Sequence, residues 1–152
     1  MGYPRGKRHL SQSCVVACEG LSILLEDMTR ERDGLRDRVI ALSETGWYET
    51  NVVRVTASRE NKAAWHLVLG ADGASMGIEP DDVVCAESRL FVAVGTQVIC
   101  VNPEDGVILW NVEADFAGVY SIHLVPGKRA LAMCGASDTS TLSLDGEFVR
   151  LD

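Results

Sequence analysis

The sequence lacks any apolar run long enough to cross a membrane as a helix, and it is short of positive charge. A spanning helix needs about 20 consecutive apolar residues, and no stretch of the 152-residue chain approaches that length. Lys and Arg number 14 against 22 Asp and Glu, so the formal net charge is −8. Because nucleic-acid binding relies on a concentrated basic surface, we expect neither a nucleic acid nor a membrane as partner.

Patterns typical of metal sites and disulfide frameworks are missing as well. The five cysteines are an odd number, and three of them lie within apolar runs, where a free thiol behaves as a small hydrophobe. Cys14 and Cys18 are four residues apart with His9 nearby, but a zinc site needs a fourth ligand at ordered spacing. We therefore expect five free thiols, no bound metal and a cytoplasmic location.

Catalytic motifs are equally scarce. His66 and His123 lie in alternating, strand-like segments, which is typical of residues on a sheet face or rim rather than of a general base. The serine in Ser121-Ile122-His123 is not surrounded by the strained turn of a hydrolase nucleophile. The acidic group at 79–82 lacks the ligand spacing of an EF-hand. We expect a protein that is not an enzyme and that uses no cofactor.

Residues 18–45 carry apolar side chains at helical spacing. The apolar positions follow alternating steps of four and three once Arg32 takes one slot, which is typical of a heptad seam. They are Leu21, Leu25, Met28, Leu35, Val39 and Leu42. The pattern predicts a helix over 14–45, ended by Gly46, behind a disordered basic tail at 1–13. The stripe suits packing on the chain's own sheet and self-association equally well.

After Gly46 the apolar period becomes two, which predicts a β domain over 46–152. Short apolar segments are separated by Asp-Gly turns, a strong hairpin signal because glycine adopts positive φ without steric cost. The turn glycines are Gly73, Gly106 and Gly146, which are 33 and 40 residues apart. Recurrence near 40 residues, with about four short strands per period, is the sequence sign of propeller blades.

The best copy of this recurrence, residues 98–110 (VICVNPEDGVILW), resembles the pyrroloquinoline-quinone-type (PQQ-like) propeller repeat. That repeat reads apolar-x-Ala-Leu-Asp-x-x-Thr-Gly-x-x-x-Trp. Gly106 matches its turn glycine, and Trp110 matches the tryptophan that packs between blades in the family. Asn102 and Asp105 replace the aspartate and threonine, and both suit a turn. In the last copy, Asp145-Gly146 is present but arginine stands where the tryptophan would be.

The resemblance implies a mainly β fold with one N-terminal helix, built as an incomplete propeller of two to three blades. A β-sandwich with a covering helix is the alternative. A closed propeller takes about 4–8 blades, so three blades leave sheet faces and edges that must be covered. The helix, a second copy or a partner would provide that cover.

The same count of blades bears on function. A quinone-dependent dehydrogenase of this family would need a complete ring, which this chain cannot close alone. We therefore expect a non-catalytic protein-binding or scaffold module, with self-association through residues 18–45 as one option. The alternatives are a small acidic immunity- or inhibitor-type protein that binds a basic partner, and a self-assembling scaffold that completes a propeller between chains.

Overall fold

The computed structural model describes residues 13–43, 51–73 and 77–149, and these residues are predominantly in β-strands. The strands are β1 (Ser13–Cys18), β2 (Leu21–Asp27), β3 (Ile40–Ala41), β4 (Asn51–Arg59), β5 (Lys62–Ala71), β6 (Val83–Ala86), β7 (Arg89–Val94), β8 (Gln97–Val101), β9 (Ile108–Glu113), β10 (Val119–Leu124), β11 (Ala130–Gly135), β12 (Thr139–Ser143) and β13 (Phe148–Val149). Two short 3₁₀ helices, Thr29–Leu35 and Pro80–Asp82, connect strands.

The strands form three sheets, each built around four strands in an antiparallel meander. Sheet 1 has the order β1-β2-β4-β5-β3, sheet 2 the order β6-β7-β8-β9, and sheet 3 the order β10-β11-β12-β13. Only β3 departs from the meander, because it pairs in parallel with β5. Repeated four-stranded meanders are the blades of a propeller, and three of them do not close. The prediction of a mainly β, incomplete propeller-like fold is confirmed.

Apolar cores lie on both faces of sheet 2. One set of its side chains packs against sheet 1, namely Leu90, Val92, Val94, Ile99 and Val101. The alternate set packs with sheet 3, namely Phe91, Ala93, Val98 and Cys100. Burial on both faces explains why β7 and β8 are almost continuously apolar in sequence rather than alternating. Sheet 2 is thus the central layer of a three-sheet stack.

The long helix predicted over 14–45 is wrong. β1 and β2 form a hairpin at the start of this segment, and they pair with β4 in sheet 1. The helical residues described within it, Thr29–Leu35, form a 3₁₀ helix with no buried residue. A separate helical unit before a β domain is therefore wrong too, because sheet 1 includes strands from both sides of residue 45. Residues 1–12 and Gly46 lie outside the described residues.

The error arose because the buried residues of β2 recur every second residue, a strand period that the heptad interpretation missed. Leu21, Ile23 and Leu25 are all buried in sheet 1, at most 3% exposed, while Ser22 between them is exposed. The heptad interpretation counted Leu21 and Leu25 and passed over Ile23. The two-residue turn Glu19-Gly20, with φ of 55° and 81°, connects β1 to β2 as a hairpin with both central residues left-handed.

The six predicted interaction residues therefore share no exposed face. Leu21, Leu25 and Leu42 belong to the core between sheets 1 and 2, and are unable to contact another chain. The other three, Met28, Leu35 and Val39, lie half-buried in and beside the 3₁₀ helix. In the described ranges, no helix has the length and apolar character that crossing a bilayer requires.

A disulfide joins sheets 1 and 2. Cys18, at the end of β1, bonds Cys85 in β6 across a Cα–Cα distance of 5.6 Å. The prediction of five free thiols is wrong, since Cys14, Cys100 and Cys134 alone are free. The bonded cysteines are separated by 67 residues, so nothing in their local spacing indicates the pairing.

Removal of this bond should destabilise the protein without changing its fold. Closing a loop of this length constrains the unfolded chain, so we expect Cys18→Ser with Cys85→Ser to lower the free energy of unfolding by about 2–4 kcal/mol. Cys134→Ser, at an exposed position, is the matched control. Thiol titration of the denatured, unreduced protein should count the three free cysteines. A count of five would contradict the bond.

Candidate functional site

Trp110 joins sheet 2 to sheet 3. It lies in β9, half-buried, and its indole Nε1 donates a hydrogen bond of 3.1 Å to the Leu144 carbonyl in the β12–β13 turn. The ring lies over Gly146, where an added Cβ would come within 2.7 Å of it. Gly146 also has φ of 91°. Glycine is therefore required there both by the backbone and by the ring.

Trp65 makes the same contact between sheets 1 and 2. Its Nε1 donates a 2.7 Å hydrogen bond to the Pro103 carbonyl in the β8–β9 turn. A Cβ on Gly106 would approach the Trp65 ring to 2.7 Å, and Gly106 has φ of 77°. Each tryptophan thus lies in the last strand of one meander and packs on the glycine turn of the next. We call this contact the tryptophan–turn junction.

The sequence pattern assigned Gly73 to the repeat turn of the first blade, but the structure places Gly73 after β5, the last strand of that meander. The turn before the last meander strand of sheet 1 is Glu60-Asn61, with φ of 54° and 65°. Asn61 precedes Trp65 by four residues, the same spacing as Gly106 to Trp110. This asparagine, which tolerates left-handed φ, was the missed signal for the first repeat. Gly73 instead follows β5 and packs against Thr96.

Arginines accompany both junctions. Arg59 at the end of β4 pairs with Glu104 in the β8–β9 turn at 3.6 Å. Arg89 in β7 pairs with Asp145 in the β12–β13 turn at 3.0 Å and donates a 2.7 Å bond to the Leu144 carbonyl. Exposed pairs of this kind contribute about 0–1 kcal/mol. The tryptophans rather than the ion pairs therefore carry most of the junction energy.

A buried carboxylate organises the connection from sheet 2 to sheet 3. Asp115 follows β9, and its oxygens accept hydrogen bonds from four backbone N–H groups at 2.9–3.1 Å: those of Ala117, Gly118, Ser137 and Asp138. A Cβ on Gly135 would collide with this carboxylate. Desolvation acts to raise the pKa of Asp115, but the four N–H donors outweigh it and hold the pKa below its ordinary value.

Two of the three free thiols, Cys14 and Cys100, are placed for packing, whereas Cys134 is exposed. Burial raises the pKa of the Cys100 thiol to about 11, in the core between sheets 2 and 3. Burial, with a contribution from Asp82, also raises the pKa of Cys14. A raised pKa keeps a thiol protonated and unreactive. Among the described residues, no three His, Cys, Asp or Glu side chains are grouped closely enough to hold a metal ion.

The outer face of sheet 3 is polar. Leu131, Met133 and Leu142 are buried towards sheet 2. The opposite face presents Ser121, His123, Ala132, Cys134, Thr139 and Thr141, with a shallow depression between His123 and Thr139. A polar sheet face can remain in contact with water without an apolar partner. This face therefore does not need the apolar cover that the count of blades suggested.

Large exposed apolar side chains lie instead on edges and loops. Phe116, in the loop that carries Asp115, is 76% exposed, while Val107 and Leu109 at the edge of sheet 2 are 54% and 47% exposed. Phe148 and Tyr120 on sheet 3 are also more than half exposed. These side chains and Val15 on β1, but not Leu21, Leu25 or Leu42, are among the apolar groups that the fold leaves available to a partner.

The tryptophan–turn junction predicts a large loss on truncation. Trp110→Ala should cost about 3 kcal/mol of unfolding free energy, at the lower end for a core aromatic because the side chain is half-buried. Trp110→Phe retains the ring and removes the bond to Leu144, so it should cost about 1 kcal/mol. Denaturant unfolding measures both. A loss below about 1 kcal/mol for Trp110→Ala would contradict the junction's role.

The lowered pKa of Asp115 predicts an acid-dependent loss of stability. Its stabilisation is complete above the unfolded-state pKa of about 3.9 and is lost as pH falls through the lower folded-state value. Asp115→Asn should therefore destabilise most near neutral pH, with the difference from wild type shrinking on acidification. Urea unfolding across this pH range measures it, with Asp37→Asn on an exposed segment as control. A difference that is constant with pH would contradict this role.

Comparison with known proteins assigns no family to this chain. No protein-family model matches the sequence, and no curated protein does either. Among solved structures, the chain is similar to the crystal structure of BamB from Moraxella catarrhalis, with 12% sequence identity and a TM-score of 0.34. That alignment covers 91% of this chain and 60% of that chain. The sheet order and the junctions therefore carry the fold assignment of this chain.

Proposed function

We propose that this chain is a non-catalytic protein-binding module built from three blades of the PQQ-like repeat type. Support for the repeat type comes from the tryptophan–turn junction, which occurs twice with the same partners. Trp65 packs on Gly106 and Trp110 packs on Gly146, each with its indole N–H on a turn carbonyl. This arrangement matches the packing role that the resemblance assigned to the repeat tryptophan.

The exposed apolar side chains are the observation that carries the binding role. Val107, Leu109 and Phe116 project from a stack whose strands are fixed by two cores, a disulfide and two junctions. Aromatic and aliphatic side chains held on a rigid support are the usual anchors of protein interfaces. An acidic chain of net charge −8 favours a basic partner through complementary potential. An immunity- or inhibitor-type role is a special case of this proposal.

The alternative of ring closure between copies finds less support. At the missing junction, Asn61 with φ of 65° would stand in place of the turn glycine, and asparagine carries the Cβ that Gly106 lacks. In sheet 3, Val149 pairs with Thr141 in the way that Trp110 pairs with Cys100 in sheet 2. Val149 therefore stands where the tryptophan of a further junction would be. Both halves of a further tryptophan–turn junction are thus replaced. Self-assembly would need a different contact.

The location in the cell stays a prediction. The expected cytoplasm rested on free thiols, whereas the Cys18–Cys85 bond would persist more readily in an oxidising compartment. In protein isolated under alkylating conditions, a cytoplasmic location predicts that the Cys18–Cys85 bond is reduced, whereas an oxidising compartment predicts that it is intact.

Site-specific photocrosslinking in the native host tests the binding role. A photoreactive amino acid at Leu109 or Phe116 should give the same protein adduct in repeated experiments, whereas His66, exposed on sheet 1, serves as the control position. The captured protein, once purified, should bind the unmodified chain with defined stoichiometry in calorimetry. Absence of a protein adduct at both positions would contradict the proposal. An adduct with a second copy, together with mass that rises with concentration, would favour the scaffold alternative.

A further inference from the structure

The edge strands of the three sheets are protected to different degrees. In sheet 1, β3 pairs with Leu69 and Gly70 of β5, and Lys62 lies on the part of β5 that has no further strand beside it among the described residues. In sheet 3 the edge strand β13 has only two residues. At the inner side of sheet 2, β6 lies beside β1 and β10. β9 is different, since its six residues pair only with β8 among the described strands. On that side of the stack the β9 edge is open along all six residues, whereas β3 occupies part of the β5 edge.

The sequence of β9 lacks the usual devices that protect an edge. Natural edge strands carry proline, lysine or inward-pointing charges that discourage further pairing. β9 reads ILWNVE, with Glu113 as its single charge, and the exposed Val107 and Leu109 stand at its start. Asn111 is held by hydrogen bonds of its side-chain amide to Gln97 and to the Leu42 carbonyl. These bonds fix the strand in place.

Sheet 1 shows how such an edge is covered in this fold. β3 pairs in parallel with β5, with Ile40 opposite Leu69 and Ala41 opposite Gly70. The next residue continues the pairing, since the Leu42 N–H donates a 2.8 Å bond to the Gly70 carbonyl. The segment before β3 makes only a 3₁₀ helix, so a short extended stretch suffices to occupy part of the edge. β5 and β9 are equivalent strands, because each carries the junction tryptophan.

Charge indicates what kind of segment would fit the β9 edge. Glu104 and Asp105 lie in the turn before β9, and Glu113 ends it. A second copy of the chain would bring the same carboxylates to the edge, and like charges facing each other are destabilising. A segment with lysine or arginine between apolar residues would complement both the carboxylates and the exposed Val107 and Leu109.

We infer that the β9 edge is a strand-addition site for an extended segment of a partner protein in which basic and apolar residues alternate. The inference rests on the proposed protein-binding function and names its surface and partner chemistry. Main-chain hydrogen bonds to β9 supply the affinity, as in β-augmentation generally. Leu109 and Val107 provide the apolar contact, and Asp105 and Glu113 select against acidic segments, since Arg59 already pairs with Glu104.

Three synthetic octapeptides test the site on the full-length protein. One alternates Val and Lys, the second alternates Val and Glu, and the third is the Val/Lys peptide with every backbone amide N-methylated. The Val/Lys peptide should slow amide hydrogen exchange in residues 108–113 and bind at least about tenfold more tightly than the Val/Glu peptide. The N-methylated peptide should bind at least about tenfold more weakly, because neither of its edges retains backbone N–H donors.

Matched substitutions separate the edge from general surface effects. Leu109→Lys places a positive charge on the edge and should weaken binding of the Val/Lys peptide at least about tenfold. Leu124→Lys on β10, at a side chain 44% exposed against 47% for Leu109, should leave it unchanged. The inference would be overturned if the Val/Lys peptide bound both variants equally. It would also be overturned if the peptide protected amides outside residues 108–113, or protected none. A dimer in sedimentation that Leu109→Lys dissociates would overturn it as well.

The outcomes also separate this site from the broader proposal. A partner protein that crosslinks through Phe116 and binds the Leu109→Lys variant with unchanged affinity would retain the binding role and overturn the edge site. Loss of that partner's binding in Leu109→Lys, with retention in Leu124→Lys, would support both.

Discussion

The packing of an indole ring on a glycine turn is the contact on which the stack depends. Trp65 and Trp110 each reach from one sheet to the turn of the next, where a side chain on Gly106 or Gly146 would overlap the ring. Each indole N–H is satisfied by a turn carbonyl, so burial of the ring leaves no unpaired donor. The apolar faces of the sheets could slide past one another, but these directional contacts define one arrangement.

The other cross-sheet contacts fall into place around the junctions. The Cys18–Cys85 bond ties β1 to β6, and Asp115 gathers the N–H groups of two loops into sheet 3. The face of sheet 3 that points away from sheet 2 presents mostly polar side chains. The stack leaves sheet edges such as β9 open, and it exposes apolar side chains on loops, such as Phe116. That combination supports the proposed binding role.

The sequence predicted the part of the fold where local pattern and tertiary role agree. Continuous apolar runs in β7 and β8, the Asp105-Gly106 turn and Trp110 all indicate a blade, because a strand buried on both faces must be apolar throughout. The segment at 18–45 could not be resolved in the same way. Leu21 and Leu25 fit a heptad and a strand equally, and the choice was decided by pairing with β4, about thirty residues away in sequence.

The remaining misses share that non-local origin. Asn61 takes the position of a turn glycine in the first repeat. Its role is recognised only once Trp65 is known to pack on the Gly106 turn of the next sheet. Cys18 and Cys85 meet because two meanders pack side by side, and Asp115 acts through loops more than twenty residues ahead of it. The site at the β9 edge is likewise a property of what lies beside the strand rather than of its residues alone.

A double-mutant cycle between Trp65 and Gly106 tests the central contact most directly. Gly106→Ala in the wild-type background forces a methyl group against the ring and should be more costly than the same change in a Trp65→Ala background, where only the left-handed backbone cost remains. The account predicts a coupling free energy of at least about 1 kcal/mol between the two positions. Additive losses, within about 0.5 kcal/mol, would show that the ring does not pack on the turn and would contradict the three-blade stack.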